Sequence, residues 1–248
     1  MLAGVLLVGA CGGGDDDDAV DADDTTTTTT AEEEEEETTT TEAVTSSTGA
    51  STTSTTADEV DLGQPVLWPA PGEGAPEPEV AAEGFVRILL DEAGGSLGEF
   101  AQGDPTSGEV PLFGATEGGG TGALRSTILV RQLGDGWYVI GAVSDDVTID
   151  VPATLAEVPI GPVEVSGTGR GFEGTVVLTA TLAGEDGAPL AQEPVIAGSA
   201  EALEPYAVTL DVGGAADGDT VAVVATTGIG LDTDAPGIAA VPVVLIAL

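Results

Sequence analysis

The sequence predicts a mainly β protein, in which an antiparallel β-sandwich follows a small α+β module and a long disordered linker. Between Pro162 and Val212, short runs rich in Val, Leu and Thr alternate with Gly, Pro and acidic turn residues. This alternation is typical of sandwich strands. A single earlier segment has apolar residues at helical spacing. The region before Leu62 is almost entirely Thr, Ser, Ala, Gly and acid, apart from its first residues.

Residues 1–11 are interpreted as a signal peptide that ends in a lipobox. An apolar run from Leu2 to Val8 precedes small residues and then Cys11, the single cysteine of the chain. Val8-Gly9-Ala10-Cys11 resembles the site at which bacterial lipoproteins are cleaved and their cysteine is lipidated. The run has no preceding Lys or Arg, in contrast to an ordinary export signal. We expect Cys11 to carry a lipid (palmitate among its acyl chains) that anchors the chain to the outer face of the cell membrane.

Residues 12–62 are predicted to be a disordered, acidic, Thr-rich linker. They hold too little apolar surface to offset the entropy of folding. As a flexible coil the linker spans roughly 40 Å, and its like charges extend it further. The acidic blocks Asp15–Asp18 and Glu32–Glu37 lack the turn that arranges oxygens around calcium, so a solvated spacer is the preferred interpretation. The Thr clusters are candidate glycosylation sites by composition.

The charge balance restricts the class of partner. The chain carries 44 acids, four arginines, no lysine and no histidine, for a formal net charge of −40. Nucleic-acid binding depends on Lys and Arg that neutralise phosphates, so we expect no nucleic-acid partner. Anionic headgroups would also repel this surface, so contact with a membrane is expected only through the lipid anchor.

Residues 63–145 are predicted to form the α+β module. Apolar residues between Glu77 and Glu92 fall near helical spacing, with Gly94-Gly95 as the stop signal. These residues are Val80, Phe85, Ile88 and Leu89. Strands are expected at Gly108–Phe113, Ser126–Leu133 and Trp137–Val143, the last two joined by a tight turn at Gly134-Asp135-Gly136.

The aromatic pair Trp137 and Tyr138 is a candidate binding surface. Two adjacent rings can form a stacking platform for a sugar, but neighbours along a strand point to opposite faces. The alternative is that one ring lies in the core and the other at its rim.

Residues 146–248 are predicted to form the sandwich. The chain offers seven short strands over about 100 residues without helical periodicity, the usual count for this fold. The expected strands are Val147–Val151, Val163–Val165, Thr175–Leu182, Leu190–Ile196, Ala207–Val212, Thr220–Thr226 and Ala239–Ile246.

The stretch GTGRGFEG, from Gly167 to Gly174, resembles the immunoglobulin-like domain of bacterial spore-germination and related envelope proteins. Pro162, Val165 and Gly167 match the leading positions of that family's motif, and Phe172-Glu173-Gly174 matches its close. The segments Asp186-Gly187…Leu190-Ala191 and Pro205-Tyr206 resemble later parts of its pattern, and RQLGDGWYVIGA resembles the segment before this domain in actinobacterial lipoproteins. The resemblance implies an immunoglobulin-like sandwich in an accessory, non-catalytic envelope protein.

The motif residues have a structural interpretation of their own. Phe172, at the start of a strand, is expected to fill the core between the sheets. Glu173 is expected to point outward or to accept backbone bonds at a bend. Gly167 and Gly174 allow turns or a bulge. We therefore expect these residues to be structural, as motif residues in a sandwich usually are.

The side chains available exclude most catalytic classes. Without His, Lys or a second Cys, the chain cannot form a serine triad, a Cys–His pair, a typical zinc site or a Schiff base. We therefore predict no enzyme, no cofactor and no metal. The expected function is that of a lipid-anchored extracytoplasmic accessory protein, germination- or wall-related, that binds an envelope protein or wall polymer non-covalently.

Two alternatives remain. One is a cell-wall glycoside hydrolase that uses a pair of carboxylates. The other is a divalent-cation-binding surface protein that uses acidic loops such as Gly230–Asp234 or Ala215–Asp219.

Overall fold

The computed structural model describes residues 62–248 apart from 91–94, 117–119, 187, 200–201 and 229–234. The described residues belong to one compact unit, Ser54–Leu248. The predicted signal peptide with Cys11, the linker before Leu62 and the loop Gly230–Asp234 lie outside the described residues.

The described chain contains one α-helix, α1 (Pro78–Leu90), one short 3₁₀ turn (Phe172–Gly174) and thirteen strands. The strands are β1 (Ser96–Leu97), β2 (Ala101–Asp104), β3 (Ser107–Ala115), β4 (Thr121–Leu133), β5 (Gly136–Val143), β6 (Glu157–Pro159), β7 (Pro162–Gly171), β8 (Thr175–Leu182), β9 (Ala191–Ile196), β10 (Gly198–Ser199), β11 (Glu204–Asp211), β12 (Thr220–Thr227) and β13 (Ile238–Ile246). The predicted mainly β class is therefore confirmed.

The strands form two sheets. The larger sheet has the order β1-β3-β4-β5-β13-β12-β8-β9, with β2 attached to β3 and β6 to β13. The smaller sheet has the order β10-β7-β11. All pairs are antiparallel except β6 with β13 and β10 with β7. The small sheet packs over the β13-β12-β8-β9 part of the large one, which makes the sandwich.

Strands β12 and β13 are buried on both faces. Along β12, Val221, Val223 and Ala225 face the sandwich core, whereas Ala222 and Val224 belong to the core beneath α1. Alternation along β13 divides its residues between the same two cores. Because both faces are covered, the two strands are almost continuously apolar, as doubly covered strands usually are.

Helix α1 packs on the other face of the large sheet. Ala81, Ala82 and Phe85 are buried in the core that β3, β4 and β5 supply. The prediction that Val80 shares the apolar face is wrong, since this side chain is exposed. The reason is that small residues make the contact here and let the helix approach closely. Gly84 continues this stripe: a Cβ on it would clash with the indole nitrogen of Trp68.

Most predicted strands are present at nearly the predicted residues. The turn at Gly134-Asp135-Gly136 joins β4 to β5, and Gly134 has φ of 60°. The stretch Val147–Val151 is an exception, because it makes only two isolated bridges to β7. The carbonyl of Ser166 accepts both the Asp150 and the Val151 N–H groups, so regular pairing is interrupted there.

The predicted modules, 63–145 and 146–248, share one sheet. Strand β5 of the first pairs with β13 of the second, through Ala142 and Ala240. The segment before α1 also reaches the second region, since Gly184 donates its N–H to the carbonyl of Leu67. The division into these two modules stays a prediction.

Candidate interaction surface at one end of the sandwich

The motif Phe172-Glu173-Gly174 forms the 3₁₀ turn between β7 and β8. Glu173 has φ of 56° and ψ of 18°, and Gly174 has φ of 75°. Two successive residues in the left-handed region reverse the chain direction before β8 begins. The turn is held on both sides: the Phe172 N–H donates to the Gly228 carbonyl at 3.0 Å, and the Ala197 N–H donates to the Gly174 carbonyl at 2.7 Å.

Phe172 lies outside the core. The prediction that this ring fills the space between the sheets is wrong, because it is 54% exposed. The reason is that Phe172 belongs to the turn and not to a strand, so strand alternation does not direct its side chain inward. Glu173 is exposed, as predicted for an outward side chain.

Two further apolar side chains are exposed close to the turn. Ile196 is 76% exposed and pairs in register with Thr175, the residue that follows the turn. Its Cγ2 lies 3.7 Å from the place a Cβ on Gly174 would take. Leu203, 45% exposed, follows Ala202, whose backbone lies against Gly198. We call Phe172, Ile196 and Leu203 the Phe172 patch.

Sequence reasoning missed two of these three residues. Val195 packs against the sandwich core, so alternation along β9 directs Ile196 to the opposite face. That signal was present in the sequence once β9 was assigned. Leu203 precedes β11, and only the tertiary structure brings it near the turn.

Gly167 is a close-approach site. It is buried in β7, where a Cβ would overlap the carbonyl of Thr148 and come within 2.9 Å of the Tyr206 hydroxyl. Tyr206 lies opposite Gly167 in the ladder and donates its hydroxyl to the same Thr148 carbonyl. Burial raises the pKa of Tyr206, and the negative charge of Asp150 adds to the shift. These contacts give Gly167 a structural role.

Asp146 forms ion pairs with two of the four arginines, Arg125 and Arg170. The Arg170 Nε donates to Asp146 Oδ1 at 3.0 Å, and Arg125 Nη1 lies 3.7 Å from Asp146 Oδ2. Arg125 is on β4 and Arg170 on β7. The carboxylate therefore joins the helix-covered sheet to the small sheet.

The rings of Trp137 and Tyr138 point to opposite sides of β5. Trp137 packs against the core under α1 and meets Phe100 edge-on, with ring centroids 5.3 Å apart. Tyr138 is 3% exposed, and its hydroxyl accepts the Gly74 N–H at 3.0 Å. The two rings therefore do not form a shared platform for a ligand.

The acidic side chains of the loop Ala215–Asp219 accept backbone hydrogen bonds, one from within the loop and one from the C-terminal end of the chain. Asp219 Oδ2 accepts the Ala216 N–H, and Asp217 Oδ1 accepts the Ala247 N–H, both at 2.7 Å. With Glu185, these two acids line a cleft of about 260 Å³. Among the described residues, no three acidic side chains converge as a metal site requires.

The carboxylate of Asp104 stabilises the turn between β2 and β3. The carboxylate accepts hydrogen bonds from the hydroxyl of Ser107 and from the backbone and hydroxyl of Thr106. These bonds lower the pKa of Asp104. A general acid needs the opposite shift, so this carboxyl does not suit that role.

Comparison with known proteins supports the interpretation of the second half. Residues 146–228 match the family model of the immunoglobulin-like domain of bacterial spore germination. The predicted resemblance is confirmed for this segment, which is a third of the chain and includes the Phe172–Gly174 turn. No curated protein and no solved structure matches the chain. No helix in the described residues is long and apolar enough to cross a bilayer.

Proposed function

We propose that this protein is a lipid-anchored extracytoplasmic accessory protein that binds a component of the cell envelope non-covalently. The observation that carries the proposal is the match of residues 146–228 to the immunoglobulin-like domain of bacterial spore germination. The outward position of Phe172, the phenylalanine of the motif, adds to it. Domains of this architecture commonly serve recognition through faces or loops.

The anchor is supported by the lipobox-like sequence at Cys11 and by the long acidic stretch after it. A spacer of this length would separate the folded unit from the bilayer by tens of ångströms, roughly 40 Å for a flexible coil. The folded unit would then reach partners in the wall or in neighbouring membrane proteins.

The anchor is tested by lipoprotein processing in a bacterium that expresses the full chain. We expect globomycin, which inhibits the lipoprotein signal peptidase, to cause accumulation of a membrane-bound precursor. Mass spectrometry of untreated protein should find a diacylglycerol on Cys11, and Cys11→Ser should abolish it. A soluble, unprocessed cytoplasmic product in untreated cells would contradict the anchor.

Binding is tested separately with isolated envelopes. The full chain carrying Cys11→Ser is titrated against envelope fragments, and bound protein is measured by co-sedimentation at several ionic strengths. Saturable binding that survives high salt is expected. Binding that never saturates, or that vanishes when charges are screened, would refute a specific envelope partner.

A further inference from the structure

The Phe172 patch differs from ordinary scattered surface residues. Single exposed apolar side chains are common and need no explanation. Here three of them occur at one end of the sandwich, in a chain with only four phenylalanines. Of the others, Phe85 is buried and Phe100 and Phe113 are half-buried. Phe172 is thus the most exposed phenylalanine in the described chain.

The backbone holds Phe172 outward. Its N–H is bonded to Gly228, its carbonyl accepts the Thr175 N–H, and the next residue keeps an unfavourable left-handed conformation. A non-glycine residue in this region usually carries strain. The ring is therefore presented from a fixed turn, which lowers the entropy lost when a partner covers it.

Acidic residues flank the patch. Exposed glutamates, Glu173 and Glu204, directly follow Phe172 and Leu203. Arg170, the nearest cation in sequence, is paired with Asp146. An apolar centre with a negative rim complements an apolar centre with a positive rim.

We propose that the Phe172 patch binds a partner polypeptide that presents apolar side chains within a basic surface. This inference rests on the proposed function and adds the surface and the chemistry of the partner. A second copy of the chain is disfavoured, because each copy carries a net charge of −40 and the two acidic rims would repel each other. Anionic lipid is disfavoured for the same reason.

The test uses the full chain with Cys11→Ser and two short synthetic peptides. In one peptide, lysines flank a central pair of leucines; in the other, serines replace the leucines. Binding is followed by fluorescence anisotropy of labelled peptide at low and high salt. Variants are Phe172→Ser and Ile196→Ser, with Leu124→Ser as the matched control, since Leu124 is also 54% exposed but lies on β4.

We expect Phe172→Ser to weaken the leucine peptide about tenfold or more, as loss of a central aromatic anchor does, and Ile196→Ser to weaken it less. Leu124→Ser should change its affinity less than twofold. The serine peptide should bind all variants with the same affinity, and its binding should disappear at high salt. Glu173→Gln should weaken the leucine peptide at low salt only. Circular dichroism confirms that each variant is folded.

Three results would overturn the inference. The first is equal binding of both peptides by all variants, which would leave only general charge attraction. The second is Phe172-dependent dimerisation in sedimentation equilibrium, which would assign the patch to a second copy. The third is Phe172-dependent binding to phosphatidylglycerol vesicles, which would assign it to lipid. If the envelopes still bind saturably in any of these cases, the proposed function stands without this surface.

Discussion

Glu173 and Gly174 determine where the side chain of Phe172 points. Because both have positive φ, the chain leaves the strand pattern at Phe172 and resumes it at Thr175. The motif was predicted to begin a strand, but the turn places the side chain of Phe172 outside the core. Substitutions at the same two residues test directly whether the turn has this left-handed conformation.

Glu173→Gly is expected to stabilise the fold. Glycine adopts the left-handed conformation without the steric cost of a Cβ, which is about 1–2 kcal/mol. This gain exceeds the entropic cost of glycine in the unfolded chain, which is about 0.5–1 kcal/mol. We expect a gain of about 0.5 kcal/mol in the free energy of unfolding, measured by urea denaturation.

Gly174→Ala is the matched opposite change. Its Cβ would lie 3.0 Å from the Ala197 carbonyl at a φ of 75°, so we expect a loss of about 1–2 kcal/mol. If both changes were destabilising by similar amounts, the turn would not have the conformation described.

Tyr206 predicts a loss of stability at alkaline pH. Its pKa is raised in the folded state by burial and by Asp150, whereas the unfolded chain titrates near the ordinary value of about 10. Between about pH 10 and the raised pKa of the folded state, the folded protein keeps a proton on Tyr206 that the unfolded chain loses. Stability is thus intact below about pH 10 and falls by about 1.4 kcal/mol per pH unit above it.

Urea denaturation at pH 8.5 and 11 checks this, with Tyr206→Phe as the comparison. At pH 8.5 the variant should be less stable by about 1–2 kcal/mol, because the Thr148 carbonyl loses its hydrogen bond. At pH 11 the difference should shrink, since the phenylalanine does not titrate. An equal decline in both proteins would show that other groups cause it.

At the scale of elements, β12 and β13 decide the architecture. Each strand contributes alternate residues to the sandwich core and to the core beneath α1. The predicted strands Thr220–Thr226 and Ala239–Ile246 are both present, each one residue longer than predicted. Their almost continuous runs of apolar residues also contained the signal of burial on two faces, but a period of two cannot identify what covers the second face.

Alanine at adjacent positions of β12 tests the double burial. Val223→Ala removes contacts in the sandwich core and Val224→Ala removes contacts under α1, with both side chains 1% exposed. We expect each to cost about 1–2.5 kcal/mol in the free energy of unfolding. Val177→Ala, at a half-buried position of β8, is the control and should cost less. If Val224→Ala left the free energy of unfolding unchanged, this face of β12 would be solvent-exposed.

At the scale of the whole molecule, the family match ends inside the sheet. The matched segment stops at residue 228, before β13, which pairs with β12 at seven residue pairs. It also excludes α1, whose Phe85 belongs to the core that Val224 shares. The matched segment alone would therefore expose both the edge and the outer face of β12.

We expect residues 146–228 not to fold cooperatively when expressed alone. The reason is that β12 would lose its ladder partner and the cover of one face, while a small domain has little stability to spare. The measurement is thermal unfolding followed by circular dichroism, with residues 62–248 as the comparison. A sharp transition of the short segment at a temperature close to that of the longer one would refute this dependence.

The sequence by itself determined the mainly β class, the helix between Glu77 and Glu92, and most strand positions, because these follow from local periodicity and turn chemistry. It also determined the net charge of the chain, and the resemblance of residues 146–228 to the immunoglobulin-like domain of bacterial spore germination. The tertiary structure decided that one sheet joins both halves, that Trp137 and Tyr138 do not form a platform, and that Phe172 lies outside with Ile196 and Leu203. These features depend on contacts between segments far apart in sequence and on backbone dihedral angles, which a pattern of apolar and polar residues does not specify.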